Sequence, residues 1–283
     1  MAGADHPLRA GGLRGSELAL RVCSALVLVP LAIGTAYLGG WPFALLWGAA
    51  AAGVLWEWSS LVARNEQFSV LLAGGVSLGL AVVLVATGHV LPALIVVAMG
   101  TLGAASLALA ERRIWVAGGI PYAGTLALGP IILRGDGEQG FLAVLFLFAV
   151  VWTTDIGAYF AGRALGGPKL APWVSPNKTW AGAIGGLLAS VLVAVVVAKM
   201  AGLTSLFVLA MLAVVLSVLA QAGDLFESFL KRRFNAKDSG HLIPGHGGLM
   251  DRLDGFVTAS VAAVVIGLAR GGFEAPGRGL LVW

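Results

Sequence analysis

One pattern repeats along most of this 283-residue chain: apolar runs of about 20 residues, set apart by polar connections. A helix of that length crosses a hydrocarbon core ~30 Å thick. Lipid offers no partner to exposed backbone, so such runs fold as helices that satisfy their own amides and carbonyls. The runs lie at 22–39, 42–63, 68–87, 90–110, 114–133, 140–162, 178–200, 203–223 and 249–270. Strand-period alternation is absent, which argues against an outer-membrane barrel. Charged residues make up 11% of the chain, against about 25% in soluble domains. The expected fold class is therefore all-α, a polytopic integral membrane protein with about nine transmembrane helices. Run 114–133 is the weakest, because Gly118, Gly119, Pro121 and Gly129 fit a broken or interfacial segment.

Charge placement orients the chain. With the N-terminus inside, the inner segments carry Arg9, Arg14, Arg21, Arg64, Arg112, Arg113, Arg163, Lys169, Lys178, Lys231, Arg232, Arg233, Lys237 and Arg252. The outer segments carry only Arg134, Lys199, Arg270 and Arg278. Basic residues collect on the cytoplasmic side of inner-membrane proteins. The layout is N-in and C-out in the cell (inner) membrane, with the motif-bearing connections facing the cytoplasm. Residues 1–21 read as a cytoplasmic tail, 22–150 as a transmembrane scaffold, and 151–283 as the catalytic region. Cys23 is the single cysteine, so the chain has neither an internal disulfide nor a cysteine zinc site.

The segment from Asp224 to Asp254 concentrates the chemistry. Asp224 ends one apolar run, and Asp251-Arg252-Leu253-Asp254 opens the next. Lys231, Arg232, Arg233 and Lys237 cluster between them, followed by a glycine-rich turn at 244–248. Charge near membrane level is costly unless it serves a site. Magnesium takes one or two carboxylates plus phosphate and water oxygens. Basic groups neutralise charge that develops on phosphate oxygens. Glycine amides and a helix N-terminus also hold phosphate. The pattern reads as nucleotidyl transfer. A lipid-anchoring basic loop is the plainer alternative, and it leaves the flanking aspartates unexplained.

A second polar stretch, Asp155 to Thr179, carries Arg163, Lys169 and Ser175-Pro176-Asn177-Lys178-Thr179. Ser175 reads as a helix cap with Pro176 at the first helical position. Gly75-x-Ser77-x-Gly79 matches a hydrolase elbow but lies mid-span, where helix packing explains it better. His241 and His246 lack further soft ligands for zinc. Glu57, between Trp56 and Trp58, either serves the site or pairs inside the bundle.

Ser228 to Asp254 reads S-x-L-K-R-x4-K-D-x-G-x2-I-P-x-H-G-G-L-x-D-R-L-D. This resembles the signature of the phosphatidate cytidylyltransferases. The D-x-x-A-Y-x-x-G-R segment from Asp155 and the S-P-x-K-T segment from Ser175 look like the same family. The resemblance implies a dimeric helical membrane enzyme that converts CTP and phosphatidate to CDP-diacylglycerol and pyrophosphate. It implies Mg2+ held by Asp224 and Asp251, with K+ accompanying it. Asp224, Lys231, Arg232, Lys237, Asp251 and Arg252 are the catalytic candidates. Asp155, Arg163, Ser175, Lys178, Thr179, Asp238, His246 and Asp254 are the candidates for substrate binding and its support. The expected partners are CTP, phosphatidate, membrane lipids and a second copy of the chain, with no nucleic acid. A CTP-dependent lipid kinase would use similar groups but release CDP. A transporter would need charges at the midplane of repeated halves, which are not found.

Overall fold

The computed structural model describes residues 9–63, 67–135, 137–240, 242 and 247–283, with side chains from Ser24 onward. The described elements, in chain order, are α1 (Arg9–Leu38), α2 (Gly40–Val62), α3 (Gln67–Ala86), α4 (Val90–Leu107), α5 (Arg113–Arg134) and α6 (Gly137–Leu165). A two-stranded hairpin follows, β1 (Lys169–Ala171) and β2 (Ser175–Thr179). Then come α7 (Trp180–Met200), α8 (Leu206–Arg233), α9 (Met250–Gly271) and the short α10 (Pro276–Leu281).

Eight of these helices, α2 to α9, are long and apolar enough to cross a membrane. The apolar part of α1, Ser24–Leu38, is shorter. Only 17% of the spanning window of α4 is buried, and its outward face carries Leu91, Leu94, Ile95, Met99 and Leu102. A surface that apolar needs lipid beside it rather than water.

Run 114–133 is a continuous helix and the most buried span, at 72%. Its glycines are packing positions, not breaks. A Cβ on Gly119 would collide with the Trp58 ring, and one on Gly129 would stand 3.0 Å from Ser260 Oγ. Neighbouring helices close around Pro121 and Pro130, which lets prolines persist inside membrane helices. Trp58 stacks near Tyr122 and Phe226, and its indole N–H donates to the Trp115 carbonyl at 2.8 Å. These contacts tie α2, α5 and α8 together at one end of the bundle.

Helices α6 and α7 form the closest seam. A Cβ on Gly186 would meet the Thr154 carbonyl oxygen at 2.5 Å, and one on Gly182 the Ala158 carbonyl oxygen at 2.8 Å. Small residues let membrane helices approach this closely. Ser77 lies in α3, where its hydroxyl donates back to the Gly74 carbonyl at 3.0 Å, so the elbow-like spacing is helix packing.

Three element boundaries differ from expectation. α1 begins at Arg9, inside the segment read as a tail. α8 does not stop at Asp224 but runs on to Arg233. Leu230 is fully buried and Glu227 pairs with Lys231 one turn on, so the helix keeps a packed face beyond the apolar run. It ends where Asn235 takes a φ of 55°, with the Ala236 amide donating to the Lys231 carbonyl at 2.8 Å. That is a Schellman stop with Asn in the left-handed position. Ser175 does not cap α7. Ser175 to Thr179 form a strand paired antiparallel with β1, and the cap is Thr179, whose hydroxyl accepts the Gly182 amide at 3.1 Å. Thr179 has the extended backbone that a cap needs, and residues 175–178 spend their backbone on the hairpin.

Candidate active site

The C-terminal ends of α6 and α8 and the N-terminal ends of α7 and α9 lie at one end of the bundle. Between them opens a cleft of about 610 Å3. Asp155, Tyr159 and Arg163 come from α6, Lys178 and Thr179 from β2, Gln221 and Asp224 from α8, and Asp251, Arg252 and Asp254 from α9. Eight of the expected site residues therefore share one wall-to-wall space: Asp155, Arg163, Lys178, Thr179, Asp224, Asp251, Arg252 and Asp254.

The cleft is built from opposed charges. The Lys178 ammonium lies 2.5 Å from Asp224 Oδ2, joining the hairpin to α8. Arg163 donates to the Tyr159 hydroxyl at 2.9 Å, one helical turn back, which steadies the guanidinium at the rim. Behind the wall, Lys231 lies 2.6 Å from Glu227 Oε2 and 2.5 Å from Asp251 Oδ1. The other Asp251 oxygen accepts the Ser239 and Gly248 amides, each at 3.1 Å.

The remaining expected residues stand apart from the cleft lining. Arg232 donates to the Ala236 carbonyl at 3.2 Å, and Lys237 and Asp238 are exposed on the connection after α8. Ser175 opens β2 beside the hairpin turn, paired with Ala171. His246 lies outside the described residues.

The first amides of α9 were expected to be open to phosphate, and they are already spent. The Leu249 and Met250 amides donate to Glu57 at 2.8 and 2.7 Å, and the Gly248 amide to Asp251. The physics of an anion at a helix N-terminus holds, but the anions are the protein's own carboxylates. Glu57 does pair inside the bundle, with the backbone that leads into Asp251. Sequence reasoning assigned no site role to Glu227, Asn177 or Gln221. Glu227 had a signal, its i,i+4 spacing to Lys231; Gln221 had another, standing three residues before Asp224 on the same helix face.

Four carboxylates and three basic groups facing one space at the membrane edge suit a polyphosphate and its counter-ion. Among the described residues no three His, Cys, Asp or Glu side chains form a metal-holding group by themselves. Asp224 and Asp251 both line the cleft, and a magnesium ion needs only one or two protein carboxylates beside phosphate and water oxygens.

A family model, described as the cytidylyltransferase family, matches residues 19–269. A protein of Brucella suis named phosphatidate cytidylyltransferase is 44% identical over 260 residues, covering 89% of this chain and 94% of that protein. The Brucella melitensis protein of the same name matches to the same extent. One from Staphylococcus epidermidis is 48% identical over 121 residues, 42% of this chain and 46% of that protein. A match of this length takes in every element around the cleft, so the chain belongs to the cytidylyltransferase family.

Proposed function

We propose that the chain transfers the cytidylyl group of CTP to phosphatidate, releasing pyrophosphate and leaving CDP-diacylglycerol in the membrane. The observation that carries this reading is the single cleft in which helix ends at the membrane edge bring Asp224, Asp251, Lys178, Arg163 and Arg252 together. The phosphate monoester of phosphatidate is already an anionic nucleophile. Its oxygen attacks the α-phosphorus of CTP, the bond to the bridging oxygen breaks, and pyrophosphate carries away the negative charge. No strong general base is required. What the protein supplies is alignment and positive charge.

Lys178 is held ready by Asp224, and triphosphate binding lets its ammonium exchange one anionic partner for another. Arg163, steadied by Tyr159, stands at the rim where a lipid phosphate enters. Arg252, on the first turn of α9, faces the same space. Asp224 is the carboxylate best placed to hold magnesium, with Asp251, more fully engaged by protein donors, as its support; the bound ion would screen charge on the triphosphate. A potassium ion beside it and a homodimer belong to the same proposal. The cytoplasm supplies CTP, so the cleft end faces inward.

The test is direct. Purified protein in detergent receives CTP, phosphatidate and magnesium, and the released phosphates are identified. Pyrophosphate together with a CDP-lipid is the expected outcome. CDP with a newly phosphorylated lipid would replace the proposal with a kinase. Asp224→Asn should lower turnover at least ~100-fold, as loss of a group acting on transition-state charge does.

A further inference from the structure

Glu57 lies in α2, far in sequence from every motif around the cleft, and only 1% of it is exposed. Its Oε1 accepts the Leu249 amide at 2.8 Å. Its Oε2 accepts the Met250 amide at 2.7 Å and the Ser239 hydroxyl at 3.0 Å. Ser239 is shared, because its own amide donates to Asp251 Oδ2, which also takes the Gly248 amide. Two carboxylates from distant parts of the chain thus divide one short stretch of backbone between them. Glu57 holds residues 249 and 250 from outside the loop, and Asp251 holds 239 and 248 from within it.

The described backbone packs closely against this carboxylate. A Cβ on Gly240 would stand 2.7 Å from Glu57 Oε1, and one on Gly248 would stand 2.9 Å from Oε2. The glycines on either side of the loop are the positions where the carboxylate approaches backbone. A helix N-terminus is ordinarily capped by a neighbouring Ser, Thr, Asp or Asn at little cost. A carboxylate buried from another helix is an expensive substitute. Its expense is understandable if the cap must also register α9 against α2.

We infer that Glu57 is a positioning residue: it fixes the place of Asp251 in the cleft by clamping the start of α9 and Ser239 to α2. The inference deepens the proposed transfer reaction and rests on it for the kinetic readout alone. Asp251 and Arg252 follow Met250 directly, so movement of the first turn of α9 carries both cleft residues with it. Misplacement by about 1 Å is enough to cost on the order of 100-fold in rate.

Three variants test it: Glu57→Gln, Ser239→Ala and Leu55→Ala. Glu57→Gln keeps the volume but offers one acceptor oxygen in place of two. It should raise amide hydrogen exchange in the peptide 239–252, and lower kcat about 10- to 100-fold with KM for CTP and phosphatidate changed less than about threefold. Ser239→Ala removes one bond and should shift both readouts the same way by a smaller factor. Leu55→Ala loosens the same helix by packing alone. It should lower the melting temperature in detergent while keeping kcat within about twofold.

Unchanged exchange at 239–252 in Glu57→Gln would overturn the inference whatever reaction the enzyme runs. So would a wild-type kcat in that variant, or a Leu55→Ala loss of kcat as large as that of Glu57→Gln. A wild-type protein that forms no CDP-lipid defeats the transfer reaction instead, and the exchange measurement still decides the role of Glu57.

Discussion

The Lys231 ammonium sits between Glu227 and Asp251, with side-chain exposures of 13%, 1% and 13% in that order. In the sequence it is one of four basic residues within seven positions, and that cluster reads as a phosphate clamp. In space its charge is already committed to two carboxylates of the protein. Removing one member of a buried ionic group leaves the others uncompensated. Lys231→Met should therefore cost about 3–5 kcal/mol of stability, measured as the unfolding midpoint in detergent. Pairing it with Glu227→Gln removes one of the stranded charges and should recover at least half of that loss. A double variant no more stable than Lys231→Met would mean that the ionic group is not where the stability resides. Asp155, Asp224, Asp251 and Asp254 were legible in the sequence because each interrupts or borders an apolar run. Glu57 was visible as an anomaly, but its role was not. Two of its partners are backbone amides almost two hundred residues away, and amides carry no sequence signal.

At the scale of elements, the bounds of α2 to α7 and α9 were read to within a few residues because hydropathy alone specifies them. The errors fell where polar segments keep regular structure. Residues 224–233 looked like a connection, yet they continue α8 on the strength of a buried Leu230 and an i,i+4 ion pair. Residues 175–179 looked like a helix start, yet they form a strand of a hairpin that no long β pattern announces. Ser175-Pro176 is a fair helix-start signal, and Thr179, four residues later, carries the same chemistry. Local preference could not choose between them; pairing with β1 did. The choice has a measurable consequence. Thr179→Ala should destabilise the protein by about 1 kcal/mol, and Ser175→Ala by no more than a few tenths, in detergent unfolding. Equal losses from both substitutions would remove the cap from Thr179. A drop in turnover with Thr179→Ala is also expected, because its side chain borders the cleft.

At the scale of the whole molecule, the helix ends sort the described charges. Arg112, Arg113, Arg163, Lys169, Lys178, Lys231, Arg232, Arg233, Lys237 and Arg252 lie at the cleft end, and Arg134, Lys199, Arg270 and Arg278 at the other. The far end spends its cations on backbone. Arg134 donates to the Ala36 and Tyr37 carbonyls, and Arg270 to those of Gly279 and Val282, closing α10 against α9. At the cleft end Lys178 and Lys231 pair with carboxylates, while Arg112 and Arg232 donate to backbone carbonyls. By the positive-inside rule this asymmetry predicts the N-in orientation, and a reactive cysteine tests it. With Cys23→Ser as background, Trp173→Cys places a thiol at the exposed hairpin turn, and Thr204→Cys places one on the exposed connection between α7 and α8. A membrane-impermeant maleimide added to bacterial spheroplasts should label the cysteine at position 204 at once and the one at 173 only after permeabilisation. Labelling of both from outside would contradict the placement of these two segments at opposite ends of the bundle. The reverse pattern would put the cleft on the outer face, where cytoplasmic CTP could not reach it, and the proposed reaction would fall with the orientation.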